Sequence, residues 1–177
     1  MHTKLLQLDQ ECRALEPDLV TPPLSQILHL SDTDKQKPFD RLDSARIRYN
    51  QIVVSFDETA ESIPQPDLAA AYPACCKPLK RILGGFMYRN YSDTYLDTMI
   101  QAIKRGDEVS YVFLGSVVMA LEDGAKQIVV EAIFSGDARL TTSALGFVQR
   151  LQIKDAEIAI RQLLNHENAL IVQEAEK

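Results

Sequence analysis

The chain has 177 residues, 46% of them hydrophobic and 25% charged, which is enough apolar material for one sizeable core at an ordinary surface charge density. A formal net charge of −6 argues against a general nucleic-acid binder, which needs a positive field to displace phosphate counterions; it is compatible with a basic protein partner and equally with an ordinary acidic surface that has none. No apolar run reaches the roughly 18 residues of a membrane span, and the charged N-terminal stretch has no signal-peptide core.

Thr3 to Leu15 places Leu5, Leu8, Cys12 and Leu15 at helical spacing, which predicts an amphipathic helix stopped ahead of Pro17. Pro22 and Pro23 are expected to open a short helix over Leu24 to Leu30, and the polar stretch Ser31 to Lys37 reads as a loop. Phe39 to Ile63 predicts a long helix, its core face formed by Leu42, Arg46, Tyr49, Ile52, Val53, Phe56, Ala60 and Ile63, and closed by Pro64 and Pro66. Asp67 is expected to cap Leu68 to Tyr72. Ala74 to Tyr88 reads as a helix with irregular ends, punctuated by Pro78 and by Gly84-Gly85.

The pattern becomes regular from Ser92. Ser92 or Asp93 is expected to cap a helix carrying Tyr95, Leu96, Met99, Ile100 and Ile103 and ending at Gly106. Asp107 would cap a second, running to Asp123 and ended by Gly124. Ala125 to Ser135 follows, with Ile128, Val129, Ala132 and Ile133 inward; Gly136 stops it and Asp137 caps Ala138 to Leu151. Lys154 to Asn165 and Glu167 to Ala175 make a last pair. Glycine supplies the left-handed residue that ends a helix, and aspartate accepts hydrogen bonds from the first amides of the next, so Gly-Asp punctuates a tight helix pair.

This punctuation repeats. Ala102-Ile103-x-x-Gly106-Asp107 returns thirty residues later as Ala132-Ile133-x-x-Gly136-Asp137, and Val118-x-x-Leu121 returns as Val148-x-x-Leu151. A weaker third copy puts Leu163 at the isoleucine position and Leu170 in register with Leu140. Fixed-period helix pairs mark an α-solenoid, and residues 92–177 resemble short HEAT-like repeats. The resemblance implies an all-α fold: antiparallel helix pairs stacked as a short solenoid behind an irregular helical part (1–91), the whole forming a single domain over 1–177.

No catalytic set is apparent, and neither a cofactor nor a metal is expected. His2, His29 and His166 are scattered, with His166 expected as a cation at a helix end. Cys75 and Cys76, read as neighbours on a helix, point apart and suit buried small hydrophobes better than a redox face. Three cysteines are too few for a disulfide framework, so a reducing cytoplasm is the expected location. Gly84-Gly85 lacks the lysine of a phosphate loop, Gly115-Ser116 lacks a nucleophile-elbow frame, and Asp93 with Asp97 read as solvated helix-face carboxylates.

Two charge groupings stand out. Lys77, Lys80, Arg81, Arg89, Lys104 and Arg105 make the middle of the chain basic, while Asp57, Glu58, Glu61 and Asp67 form an acidic cluster late in the long helix. Helical repeats offer the side chains of their second helices to other proteins, here Asp107 to Asp123 and Ala138 to Gln152. The expected protein-binding residues are therefore Glu108, Tyr111, Arg139, Thr142, Gln149 and Arg150. The function that follows is a non-catalytic protein-binding module of the adaptor, secretion-chaperone or immunity-protein kind. Its rivals are a nucleic-acid binder using the 77–105 patch and a small-ligand or enzyme pocket between the two halves. The apolar face of Tyr111 to Leu121 leaves a homodimer open.

Overall fold

The computed structural model describes residues 2–21 and 23–176. Every regular element among them is helical, and no helix among them is long and apolar enough to cross a membrane. The chain divides into two compact units, Met1–Phe86 and Met87–Lys177.

In the first unit, α1 (Thr3–Leu15) has the bounds that its leucine spacing predicts, with Leu5, Leu8, Cys12 and Leu15 all buried. The short helix α2 (Leu24–Ile27) follows; Pro22, expected to open it with Pro23, lies outside the described residues. The stretch read as a loop is helical instead, because α3 runs over Asp32–Ala60. Ser31 starts it: its Oγ accepts from the Asp34 amide at 3.3 Å and donates to the Asp34 carboxylate at 2.6 Å. That reciprocal cap offsets the cost of the polar first turns, and Pro38 is carried inside the helix. The core face of α3 is narrower than predicted. Leu42, Ala45, Ile52, Phe56 and Ala60 are buried, whereas Arg46 is exposed.

The helix expected to begin after Asp67 starts earlier, as α4 (Gln65–Ala71), with Pro66 in its first turn. A single 3₁₀ turn (Tyr72–Ala74) and the extended residue Cys75 then lead to α5 (Lys77–Asn90), within which the division between units falls. Pro78 occupies its first turn, and Gly84-Gly85 leave it unbroken. Within this unit α3 packs on α1, and the Phe56 and Phe86 rings meet edge to face at 5.6 Å.

The second unit opens with α6 (Ser92–Lys104), whose cap position is Tyr91 rather than Ser92 or Asp93. Asp107 does receive the next amides: its Oδ1 accepts from Val109 at 3.0 Å. The segment it opens is a 3₁₀ turn (Ser110–Val112) followed by α7 (Leu114–Leu121), not one helix to Asp123. Glu122, with φ of +48°, makes the turn assigned to Gly124. Then come α8 (Lys126–Ile133) and α9 (Ala138–Leu151), the latter capped by Asp137 Oδ1 accepting from Leu140 at 2.8 Å. The chain closes with α10 (Glu157–Leu163) and α11 (Ala169–Ala175).

Burial follows the thirty-residue register. Met99 and Val129, Ala102 and Ala132, Ile103 and Ile133, Leu114 and Ala144, and Val118 and Val148 are buried pair by pair. The third copy is displaced by one residue. Leu170 is 68% exposed and the residue buried like Leu140 is Ile171, at 2%. Asn168 then stands for Asp137, its Oδ1 accepting from the Leu170 amide at 3.0 Å, and Ala156 stands for Ala125, both fully buried. Packing joins α6 to α7 and α8, α8 to α9, α9 to α7 and α11, and α10 to α11.

Candidate functional site

The residues expected at a contact face are all in the second unit. On α9, Arg139 and Arg150 are eleven positions apart, which returns the helix to within about 20° of the same side, about 16 Å further along its axis. Both are exposed, and each rests on an aromatic ring. The Arg139 guanidinium carbon lies 5.6 Å from the Tyr111 ring centroid, with an N–H donating to the tyrosine oxygen at 3.5 Å. The Arg150 guanidinium lies 6.0 Å from the Phe147 ring centroid. A guanidinium over an aromatic face is attracted to the ring's negative face.

Between the two arginines the outward line of α9 is small. A Cβ built on Gly146 would meet nothing within 4 Å, and Ser143 is half-buried. Thr142 folds its hydroxyl back onto the Ala138 carbonyl at 2.7 Å, so its hydroxyl hydrogen is committed within the helix. Gln149 and Glu108 are exposed. The structure thus joins Tyr111 and Arg139 directly, and it places Phe147, which is not among the expected face residues, under Arg150.

The basic residues of the middle of the chain are divided. Lys77, Lys80 and Arg81 belong to the first unit, and Arg89, Lys104 and Arg105 to the second, where Lys104 lies 3.5 Å from Glu131. His166 accepts from the Asn168 amide at 3.0 Å through Nδ1. Asp93 and Asp97 are both exposed on α6.

A second constellation, in the first unit, brings together residues far apart in sequence. Asp9 is buried on α1, and its two carboxylate oxygens are both used. Oδ1 accepts from the Cys76 amide at 2.6 Å and Oδ2 from Arg13 Nε at 2.6 Å. Arg13 also donates to the Ala74 carbonyl at 3.1 Å. This carboxylate therefore ties α1 to the turn ahead of α5. Cys12, Cys75 and Cys76 are all buried there as free thiols. Cys75 and Cys76 lie ahead of the helix, not on it. Cys75 is extended and its thiol donates to the Ala71 carbonyl at 3.3 Å, whereas Cys76 turns to α1, its sulfur 3.7 Å from the Asp9 carbonyl oxygen. Burial, followed by the charge of Asp9, pushes the Cys75 thiol up to about 12.

The first unit also holds an open cleft of about 620 Å³, lined by Pro17, Asp18, Val20, Ile27, Leu30 and Arg41 among others. Asp34 and Lys37, at its edge, are paired with each other at 2.6 Å. Among the described residues no group of three or more His, Cys, Asp or Glu side chains is arranged to hold a metal ion. Compared with known protein families, curated proteins and solved structures, the chain finds no match.

Proposed function

We propose that the second unit is a non-catalytic protein-binding module, built as stacked antiparallel helix pairs of HEAT-like kind, that takes its partner along the outward face of α9. Support for the stack comes from the thirty-residue burial register and from packing that links first helix to first helix (α6 with α8) and second to second (α7 with α9, α9 with α11). In such a stack the second helices present the binding side chains.

The observation that carries the reading is the pair of stacked arginines on α9. Each has its guanidinium over a ring, a contact that favours one arrangement of a long side chain, and the small residues between them leave room for a chain to lie. No acidic residue occurs between Ala138 and Leu151. The segment recognised is therefore one with carboxylates, despite the net charge of −6 carried by the whole chain. An adaptor, a secretion chaperone or a toxin-neutralising immunity protein would suit a chain of this size and acidity.

The test is affinity capture from the native cell with the intact chain and with the Arg139→Glu/Arg150→Glu double variant. The wild type should recover a stoichiometric protein that the double variant loses. Recovery of the same protein by both, or of nucleic acid whose binding collapses steeply with salt, would remove the reading.

A further inference from the structure

The binding face of α9 has a counterpart on the helix before it. Through the thirty-residue register, Thr142 and Gln149 of α9 correspond to Val112 and Met119. Val112 lies in the 3₁₀ turn ahead of α7 and is 47% exposed, and Met119 lies on α7 and is 69% exposed. Both elements pack on α9, and the Arg139 guanidinium reaches across to the ring of Tyr111, the residue before Val112. The two lines of side chains therefore border one surface, apolar on the α7 side and cationic on the α9 side. From Val109 to Leu121 no residue is charged, and from Ala138 to Leu151 the only charges are Arg139 and Arg150.

On the footing that α9 is the binding face, we propose that this surface takes an acidic amphipathic helix, its apolar side over Val112 and Met119 and its carboxylates against Arg139 and Arg150. Charge sets one side of the partner, since two cations with no acidic neighbour in their own helix attract carboxylates. Spacing sets the other. Val112 and Met119 are seven positions apart, about two helical turns, and the arginines are eleven apart, about three. A helical partner repeats its side chains at the same steps. Apolar residues at i and i+7, with carboxylates eleven apart on the adjacent side, then meet both lines at once. Methionine suits such a contact, because its unbranched side chain adapts to what is laid on it. Scattered apolar side chains are ordinary on any surface; these two occupy the register positions of the face beside them.

Three synthetic alanine-based peptides serve as probes in fluorescence-anisotropy titrations of the full chain. The first is helical, with leucines at i and i+7 and glutamates eleven apart on the adjacent side. The second replaces its leucines by serine, and the third carries a central proline that breaks the helix. The first should bind about tenfold or more tighter than either of the others. Val112→Ser/Met119→Ser should remove its advantage over the second peptide, and Arg139→Glu/Arg150→Glu should weaken both. No binding of the first peptide, equal affinity for the first and second or for the first and third, or an advantage that survives Val112→Ser/Met119→Ser, would overturn the amphipathic helix as partner. If binding still depended on the arginines, the α9 reading would stand without it. Peptide binding that Arg139→Glu/Arg150→Glu leaves intact would overturn that reading instead. The comparison of peptides on the wild type decides the matter even where a variant folds poorly.

Discussion

Gly106 and the backbone carbonyl of Ser135 are packed so closely that a Cβ on the glycine would lie 2.6 Å from the carbonyl oxygen. Two successive Gly-Asp turns of the thirty-residue register therefore meet, the end of α6 against the end of α8. Gly106 is held there by the Gly106 amide on Ile103 at 2.9 Å and the Asp107 amide on Ala102 at 3.0 Å, the paired bonds of a left-handed helix stop.

Gly106→Ala must strain a φ of +65° and also displace backbone, whereas Gly136→Ala, at +79°, meets nothing within 4 Å. The first should cost about 2–4 kcal/mol and the second about 1 kcal/mol. Denaturant midpoints of the two variants, compared at equal slope, check this. Equal losses would mean that the Ser135 contact contributes nothing.

Gln152 ends α9 in the left-handed region at φ of +51° without being glycine, with the Gln152 and Ile153 amides on Gln149 and Val148 at 3.2 and 3.1 Å. Gln152→Gly should therefore stabilise the protein by about 0.5–1 kcal/mol, the relief of backbone strain exceeding the entropy added to the unfolded chain. A lower melting temperature would contradict it.

The buried Asp9 carboxylate gives a double-mutant cycle with Arg13, whose side chain is half exposed. Arg13→Ala leaves a buried charge with the Cys76 amide but without its cation, and should lower stability. The same change in an Asp9→Asn background should cost clearly less, since no charge is left behind. Additive losses in urea unfolding would show that the pair is not coupled.

The Cys75 thiol, raised to about 12 by burial, keeps its proton in the folded state through a range where the unfolded thiol, near 9.0, has released it. Its contribution is fully present below about pH 9 and is lost as the pH rises from 9 toward 12, at up to about 1.4 kcal/mol per pH unit. Under reducing conditions the wild-type midpoint should fall more steeply over pH 9–11 than that of Cys75→Ala. Parallel curves would place the loss on other groups, among them Tyr95, which burial also raises.

Local rules made much of the second half, and α1 in the first, legible. Asp137 caps where its position predicts, Gly136 turns where glycine must, and the Leu5–Leu15 spacing gives the bounds of α1. The failures have physical causes. Ser31 to Lys37 looks like a loop because polar composition outweighs one serine, yet that serine and Asp34 cap each other. Gly124 is an attractive helix stop, but Glu122 takes the strained φ, two residues earlier. Leu170 fits a thirty-residue ruler, whereas the third copy sits one residue late, already at Ala156, and buries Ile171. Among the expected face residues, Tyr111 and Arg139 join across 28 positions, and Asp9 reaches Cys76 across 67. Periodicity within a helix carries no information about either meeting.

The distribution of the thiols makes the molecule its own reporter. All three lie in the unit ending at Phe86, each buried, and the unit beginning at Met87 has none. Under reducing conditions a thiol-reactive probe can label the native chain only through fluctuations that open the first unit. The labelling rate, set against that of the unfolded chain, then reads the opening free energy of that unit by itself. Set beside a whole-molecule melting curve, it tells whether the two units come apart together or in turn.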